Sequence, residues 1–236
     1  MPDRFRGRLL INTAACPENC RSCVDACPTG AIAPASTPVE GAGSIVLDLG
    51  RCLFCIDCVR ACPNGALSFS DDYRLAVRHR EDLVLSNPER ALKLAEDLGG
   101  RLRRVLGRSL KLRQVSAGGC NACEADVNVL GTIGWDLGRF GIQMVASPRH
   151  ADGLLVTGPV TKNMELALLK TYDAVPKPKI VIAVGACAIS GGPYLDHEEA
   201  DNGVSAILPV DLFVPGCPPH PLTILDGLLR IIGKVR

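Results

Sequence analysis

Residues 52–67 read CLFCIDCVRACPNGAL. Cys52, Cys55, Cys58 and Cys62 fall at C-x2-C-x2-C-x3-C, and Pro63 follows the last of them. Upstream, Cys16, Cys20, Cys23 and Cys27 repeat the pattern with one extra residue in the first gap. CRSCVDACPTGAI (20–32) and CIDCVRACPNGAL (55–67) match at most functional positions. An internal repeat of this kind predicts a small pseudo-twofold domain. Three thiolates two residues apart suit one face of a metal–sulfur cube. The fourth, after a longer gap and before a proline, is swung away from them.

The rest of the chain frames this stretch. Its 236 residues suit one or two domains, and 47% hydrophobic content is enough for a packed core. A net charge of +1 gives no electrostatic case for nucleic-acid binding. The longest strongly apolar stretch, Ile180 to Ile189, is too short to span a bilayer. The start MPDRFRGRLL has no secretory h-region, so export by that route is not expected. In a reducing compartment the 12 cysteines are expected as free thiols or metal ligands.

The two repeats resemble two-[4Fe–4S] bacterial ferredoxins over about residues 10–72. The resemblance implies crossed ligation. One cluster takes Cys16, Cys20, Cys23 and Cys62; the other takes Cys52, Cys55, Cys58 and Cys27. The C-x3-C-x2-C spacing of the first group also occurs in radical-SAM enzymes. The chain is too short and wrongly ordered for that barrel, and Cys27-Pro28 occupies the fourth-ligand position. Two four-cysteine zinc sites are the other use of such thiols, against which the two CP-x-GA repeats weigh.

Residues 86–113 read as a helical link. Ser86 or Asn87 caps it, Pro88 suits its first turn, and Gly99-Gly100 interrupts it. Arg101, Arg103, Arg104, Arg108, Lys111 and Arg113 then alternate with Leu102, Val105, Leu106 and Leu110. That is a basic amphipathic segment: a solvated helix face, or a surface for an acidic partner or anionic membrane. The segment Ala33–Ser44 is loop-like. Beyond the link, strand and helix signals alternate. Strands are expected at Leu112–Val115, Ile142–Ala146, Leu154–Val156, Ile180–Val184 and Ala206–Val214. Helices are expected at Cys123–Thr132, Lys162–Tyr172 and Pro219–Ile232. This predicts an α/β fold with a mostly parallel sheet, whose ligands sit beyond the strands' carboxyl ends. Cys120, Cys187 and Cys217 each follow one of those strands, and Cys123 lies close behind the first. Alone, this third group reads equally as buried core thiols or, at Cys120–Cys123, as a redox pair.

Four segments in order, SAGGCNACE, SPRHADGLLVTGPVT, IAVGACAISGGPY and VPGCPPHPLTILDGLL, resemble one superfamily. It contains the small subunit of [NiFe] hydrogenases and the 20-kDa cluster subunit of NADH–quinone oxidoreductase. The resemblance covers about residues 110–236. It implies a flavodoxin-like domain carrying a proximal [4Fe–4S] cluster on Cys120, Cys123, Cys187 and Cys217, three clusters in all. With the composition of the chain, the expected division is a ferredoxin-like domain (1–80), a helical basic linker (81–111) and the α/β domain (112–236). The quinone-reducing branch carries two adjacent cysteines at its first ligand site. Cys120 and Cys123, with Glu124 behind, are the hydrogenase arrangement, and the chain is similar to the membrane-bound, energy-converting branch that includes formate hydrogenlyases.

The partners implied are a large catalytic [NiFe] subunit that owns the active site, membrane-arm subunits, and an electron-donating dehydrogenase or ferredoxin. The place implied is cytoplasmic, at the inner face of the membrane. The rivals are a complex I-like quinone or sulfur reductase subunit and a free-standing polyferredoxin. Glu124 is the candidate proton relay, or else a first-turn acid favoured by the helix dipole. Arg149, His150 and His220 are candidates to face the cluster or partner. His197-Glu198-Glu199 lacks a second histidine at metal spacing, and His79 reads as bland.

Overall fold

The computed structural model describes residues 4–17, 20–34, 45–85, 92–97, 99 and 109–235. The expected cap at Ser86 or Asn87, Pro88, Gly100, Leu102, Val105, Leu106 and the arginines 101, 103, 104 and 108 lie outside them.

In the amino-terminal half, β1 (Leu9–Ile11), α1 (Ser22–Asp25), β2 (Ile32–Pro34), β3 (Ile45–Asp48), α2 (Asp57–Ala61), β4 (Leu67–Phe69) and β5 (Val84–Leu85) follow in order. β1 pairs antiparallel with β4, Ile11 opposite Leu67. β3 pairs antiparallel with both β2 and β5. The repeat is visible in this geometry: each half runs helix, cysteine-proline turn, strand. β2 takes in Ala33 and Pro34, the first two residues of the expected loop.

The carboxyl-terminal half contains β6 (Leu110–Ser116), α3 (Ala122–Val129), β7 (Ile142–Met144), β8 (Gly153–Thr157), α4 (Lys162–Ala174), β9 (Ile180–Val184), α5 (Ala186–Ser190), β10 (Leu212–Val214) and α6 (Pro221–Ile231). Its five strands form one parallel sheet in the order β10-β9-β8-β6-β7. This is the flavodoxin-like order, reversing between β6 and β8. β8, β9 and β10 are buried throughout, as expected of parallel strands covered on both faces. Alternation sorts their side chains. Leu154, Val156, Val181, Ala183 and Phe213 join a core with α4 and α5. Leu155, Ile180, Ile182, Val184, Leu212 and Val214 pack with α3 and α6.

The first of those cores is continuous with that of the amino-terminal half, through Leu9, Leu47, Leu67, Leu83 and neighbours. The halves are also tied by backbone pairing of Val77 with Phe213 and by Ser190 Oγ donating to the Gly50 carbonyl at 3.0 Å.

Three expectations need correction. The strand expected at Ala206–Val214 is only Leu212–Val214, and Val204–Ala206 is a 3-10 turn. Pro209 lacks the N–H that a strand through this segment would use. The ends of the expected helical linker are not helical: Arg80–Leu83 is a 3-10 turn, β5 pairs with the small sheet, and Leu110 and Lys111 open β6. The apolar residues at 110 and 112 serve a strand face there, so the helical spacing through Leu110 is coincidental. The helix after Cys120 stops at Val129, two residues before Gly131, not at Thr132.

Candidate cluster sites

The CP-x-GA repeat has a local physical cause. Gly30 and Gly65 adopt φ of 59° and 61°, a region open to glycine at little cost. That turn reverses the chain so that the next backbone N–H donates back to the cysteine. Ala31 N reaches Cys27 Sγ at 3.2 Å, and Ala66 N reaches Cys62 Sγ at 3.2 Å. Phe54 N donates to Cys52 Sγ at 3.3 Å. Amide donors aimed at sulfur favour the thiolate, the form that binds metal.

The structure brings the thiols together across the two halves of the repeat. Cys16 is raised by burial and by Cys20 and Cys62. Cys23 is raised by burial, then by Cys16 and Cys20. Cys20, in contrast, is lowered by hydrogen bonds from Ser22. In the second set, Cys52 is pushed up to about 12 by burial, with Cys58, Cys27 and Cys55 contributing. Cys58 is pushed up to about 11 by burial, then by Cys55 and Cys27. Cys62 therefore stands near Cys16, and Cys27 near Cys52, Cys55 and Cys58. Residues 18 and 19, inside the longer first gap, lie outside the described residues.

The third set is assembled by strand ends. Cys120 stands four residues after β6, Cys123 is in the first turn of α3, Cys187 is the second residue of α5 just beyond β9, and Cys217 follows β10. Together with Gly119, Gly158, Gly216, Ala122, Ala186 and Pro218 they line one cleft. Gly185, at φ 93°, is required there: a Cβ would stand 2.5 Å from Cys123 Sγ. Burial, then Cys187, Cys217 and Cys120, pushes Cys123 up. Cys187 is pushed up to about 11 by burial, then by Cys217 and Cys120. Cys120 and Cys217 are open to solvent on one side. Cys217 is nevertheless raised by the packed protein behind it, by Cys120, and by Cys55 of the second set. Phe54, between Cys52 and Cys55, and Cys217 also line one cavity at the junction of the two halves.

This donor set fits iron–sulfur clusters. Burial, and behind it the neighbouring thiols, disfavours ionisation of Cys52, Cys58, Cys123 and Cys187 unless a cationic group takes the charge, which soft-thiolate iron–sulfur centres do. Among the described residues no three His, Cys, Asp or Glu side chains converge as the ligands of one metal ion would.

Glu124 is 5% exposed, and its Oε1 accepts from Thr157 Oγ1 at 2.6 Å. Sequence reasoning missed Thr157; its place at the carboxyl end of β8, beside the cysteine loops, is the signal that could have found it. Arg149 and His150 are on the 3-10 turn Pro148–His150, with His150 exposed. That turn precedes β8, and Asp152 N donates to the carbonyl of Lys111, the second residue of β6. They therefore stand at the amino ends of the strands, away from the thiols. His220 does stand near the third set. Its Nδ1 accepts from Leu222 N at 3.1 Å, capping α6, and its ring meets Phe5 edge-on at 5.3 Å. Burial lowers it, opposed by Asp126. His197 Nδ1 accepts from Glu199 N in an exposed turn, and His79 is exposed. No described helix is long and apolar enough to cross a membrane.

Comparison with known proteins agrees with this geometry. Residues 120–231 match the model of the NADH ubiquinone oxidoreductase 20-kDa subunit family, and residues 14–66 match the 4Fe-4S dicluster domain. The chain is 43% identical over 153 residues to the probable membrane-bound hydrogenase subunit mbhJ of Pyrococcus furiosus, covering 64% of this chain and 90% of that one. It is 42% identical to formate hydrogenlyase subunit 7 of Escherichia coli, over 56% of this chain and 52% of that one. An NADH-quinone oxidoreductase subunit of Bacteroides thetaiotaomicron is 43% identical, over 49% of this chain and 59% of its own length. In three dimensions the chain aligns with one from a membrane-bound sulfane sulfur reductase at a TM-score of 0.49 and 34% identity, covering 56% and 72%. With thiols at the strand ends of a five-stranded parallel sheet, and 43% identity over 90% of the Pyrococcus relative, the chain belongs to the family of the 20-kDa subunit of NADH ubiquinone oxidoreductase, preceded by a 4Fe-4S dicluster module.

Proposed function

We propose that this chain is the iron–sulfur electron-transfer subunit of a membrane-associated, hydrogenase-type oxidoreductase complex, with the [NiFe] site on a partner subunit. Iron–sulfur clusters, when bound, take up and release single electrons. Cys16, Cys20, Cys23 and Cys62 hold one, Cys52, Cys55, Cys58 and Cys27 a second, and Cys120, Cys123, Cys187 and Cys217 a third. The N–H groups of Phe54, Ala31 and Ala66 stabilise sulfur charge at Cys52, Cys27 and Cys62. The observation that carries the reading is that Phe54, between Cys52 and Cys55, and Cys217 line one cavity, which joins the dicluster module to the third thiol set.

The open edge of the third set, at Cys120 and Cys217, faces outward where a catalytic partner can cover it. Ile133, 99% exposed on the loop after α3, adds apolar surface to that half of the chain. Glu124, beside Cys123 and held by Thr157, is the group placed to pass protons to such a partner. The separated pair Cys120 and Cys123 favours the hydrogenase branch over a quinone reductase. Membrane-arm subunits and an electron donor complete the complex and hold the chain at the inner membrane face.

The test is purification of the native complex with metal analysis. Three [4Fe–4S] sites predict about 12 irons per chain with matching acid-labile sulfide, and nickel in a co-purifying large subunit. About eight irons would remove the third site, zinc would remove the first two, and a nickel-free quinone-reactive complex would move the chain to the other branch.

A further inference from the structure

The junction between the second and third thiol sets carries a cation that the ligand chemistry does not require. Arg6, in the arm ahead of β1, donates from Nη1 to the Phe54 carbonyl at 2.9 Å, across 48 residues of sequence. Phe54 is buried in the left-handed region at φ 53°, and it lies between Cys52 and Cys55. Arg6 is therefore bonded to the peptide that presents two thiols of the second set. The same residue lines a cavity of about 260 Å³ whose wall includes Phe54 and Cys217. Arg4, Asp126 and His220 also line it. Burial holds His220 below its usual range, toward neutrality, so two arginines and one carboxyl share this space.

We propose that Arg6 is an electrostatic tuning residue: its fixed positive charge at the module junction favours the reduced state of the second and third clusters over that of the first. This rests on the cluster reading above. Each reduction adds one negative charge, and a cation held nearby stabilises the reduced form, raising the midpoint potential. The effect is local. Arg6 touches the Cys52–Cys55 peptide, and no hydrogen bond or ion pair among the described residues ties it to the peptide of Cys16, Cys20 and Cys23. An exposed charge is screened within about 10 Å at ordinary ionic strength. Electrons would then rest at the junction, next to the third set, rather than at the outer end of the module.

The experiment is a redox titration of the purified complex followed by EPR, in wild type, Arg6→Gln and Arg6→Lys, with iron content measured for each. Arg6→Gln keeps a donor for the Phe54 carbonyl and removes the charge. At a fixed potential the reduced-to-oxidised ratio of the junction clusters should fall about threefold, equivalent to ~30 mV at ~59 mV per tenfold for one electron. The ratio for the cluster of Cys16, Cys20, Cys23 and Cys62 should not move. Arg6→Lys should restore most of the wild-type ratio, and raising the salt should shrink the Gln effect. Unchanged ratios in Arg6→Gln with all three clusters present would overturn the inference and leave the cluster reading standing. Equal shifts in Gln and Lys would also overturn it, in favour of the guanidinium's geometry. Absence of a junction cluster in the wild-type complex would sink the underlying reading instead.

Discussion

The two halves of this chain gather thiols by opposite means. In the amino-terminal half each run of four cysteines spans about a dozen residues and sets the geometry, and the fold is little more than the turns that hold them. In the carboxyl-terminal half a parallel sheet comes first, and four cysteines from Cys120 to Cys217 meet because β6, β9 and β10 end on one edge. Cofactor and fold should therefore be coupled tightly in one half and loosely in the other, because sites assembled by local motifs depend on their metal for much of their folding energy.

The largest effect expected from this contrast is on cluster removal. Stripping iron with a chelator and reductant should raise amide exchange across β1–β5 by orders of magnitude more than across β8 and β9, whose strands are buried on both faces. Hydrogen-exchange mass spectrometry reads this directly, and equal loosening of both halves would break the comparison. The shared core across Leu9, Leu47 and Val156 is the feature that would spread the damage.

A second expected effect separates electron from proton chemistry in the sheet half. Glu124→Gln should leave cluster content and assembly intact and slow hydrogen turnover about 10²-fold, the low end for a positioned acid–base group. Thr157→Val should act in the same direction, through loss of the bond to Oε1. Intact turnover in both would leave Glu124 as a first-turn acid.

Within the motif half, thiol reactivity should split. Cys20 is held below 9.0 by Ser22, while Cys52 is pushed up to about 12. The thiolate is therefore more populated at Cys20, and the lower intrinsic nucleophilicity of the more acidic thiol offsets only part of that advantage. Freshly stripped protein at about pH 8 should thus be alkylated faster at Cys20 than at Cys52, measured by peptide mapping. Comparable rates would mean that burial at Cys52 is a product of the cluster.

The next effect tests the crossing between halves of the repeat. Cys62→Ser should remove the cluster of Cys16, Cys20 and Cys23, lowering iron by about four per chain, and spare that of Cys52, Cys55 and Cys58. Loss of the latter by EPR would show that sequence neighbours, not spatial ones, share a cube. The smallest effect concerns the seam: Ser190→Ala loses the bond to the Gly50 carbonyl and should cost about 1 kcal/mol in denaturant unfolding.

What can be read from the chain follows the same division. The CP-x-GA turns are legible residue by residue, because the glycine at positive φ and the returning alanine N–H are properties of five consecutive residues. Ile180–Val184 is legible as a buried strand because a continuous apolar run bounded by glycine leaves few other options. A strand through Pro209 and a helix through Leu110 both fail, because periodicity alone does not say which surface a side chain will meet.

Sequence by itself determined the three groups of thiols, the pseudo-repeat and the alternation that makes a parallel sheet. Only the tertiary structure decided that Phe54 and Cys217 share a cavity wall, that Arg6 reaches Phe54, that Thr157 holds Glu124, and that Arg149 and His150 stand at the opposite end of the strands from the thiols. Each of those relations joins residues distant in sequence or at opposite ends of a strand. Local spacing carries no information about them; sheet order and the docking of the two cores fix them.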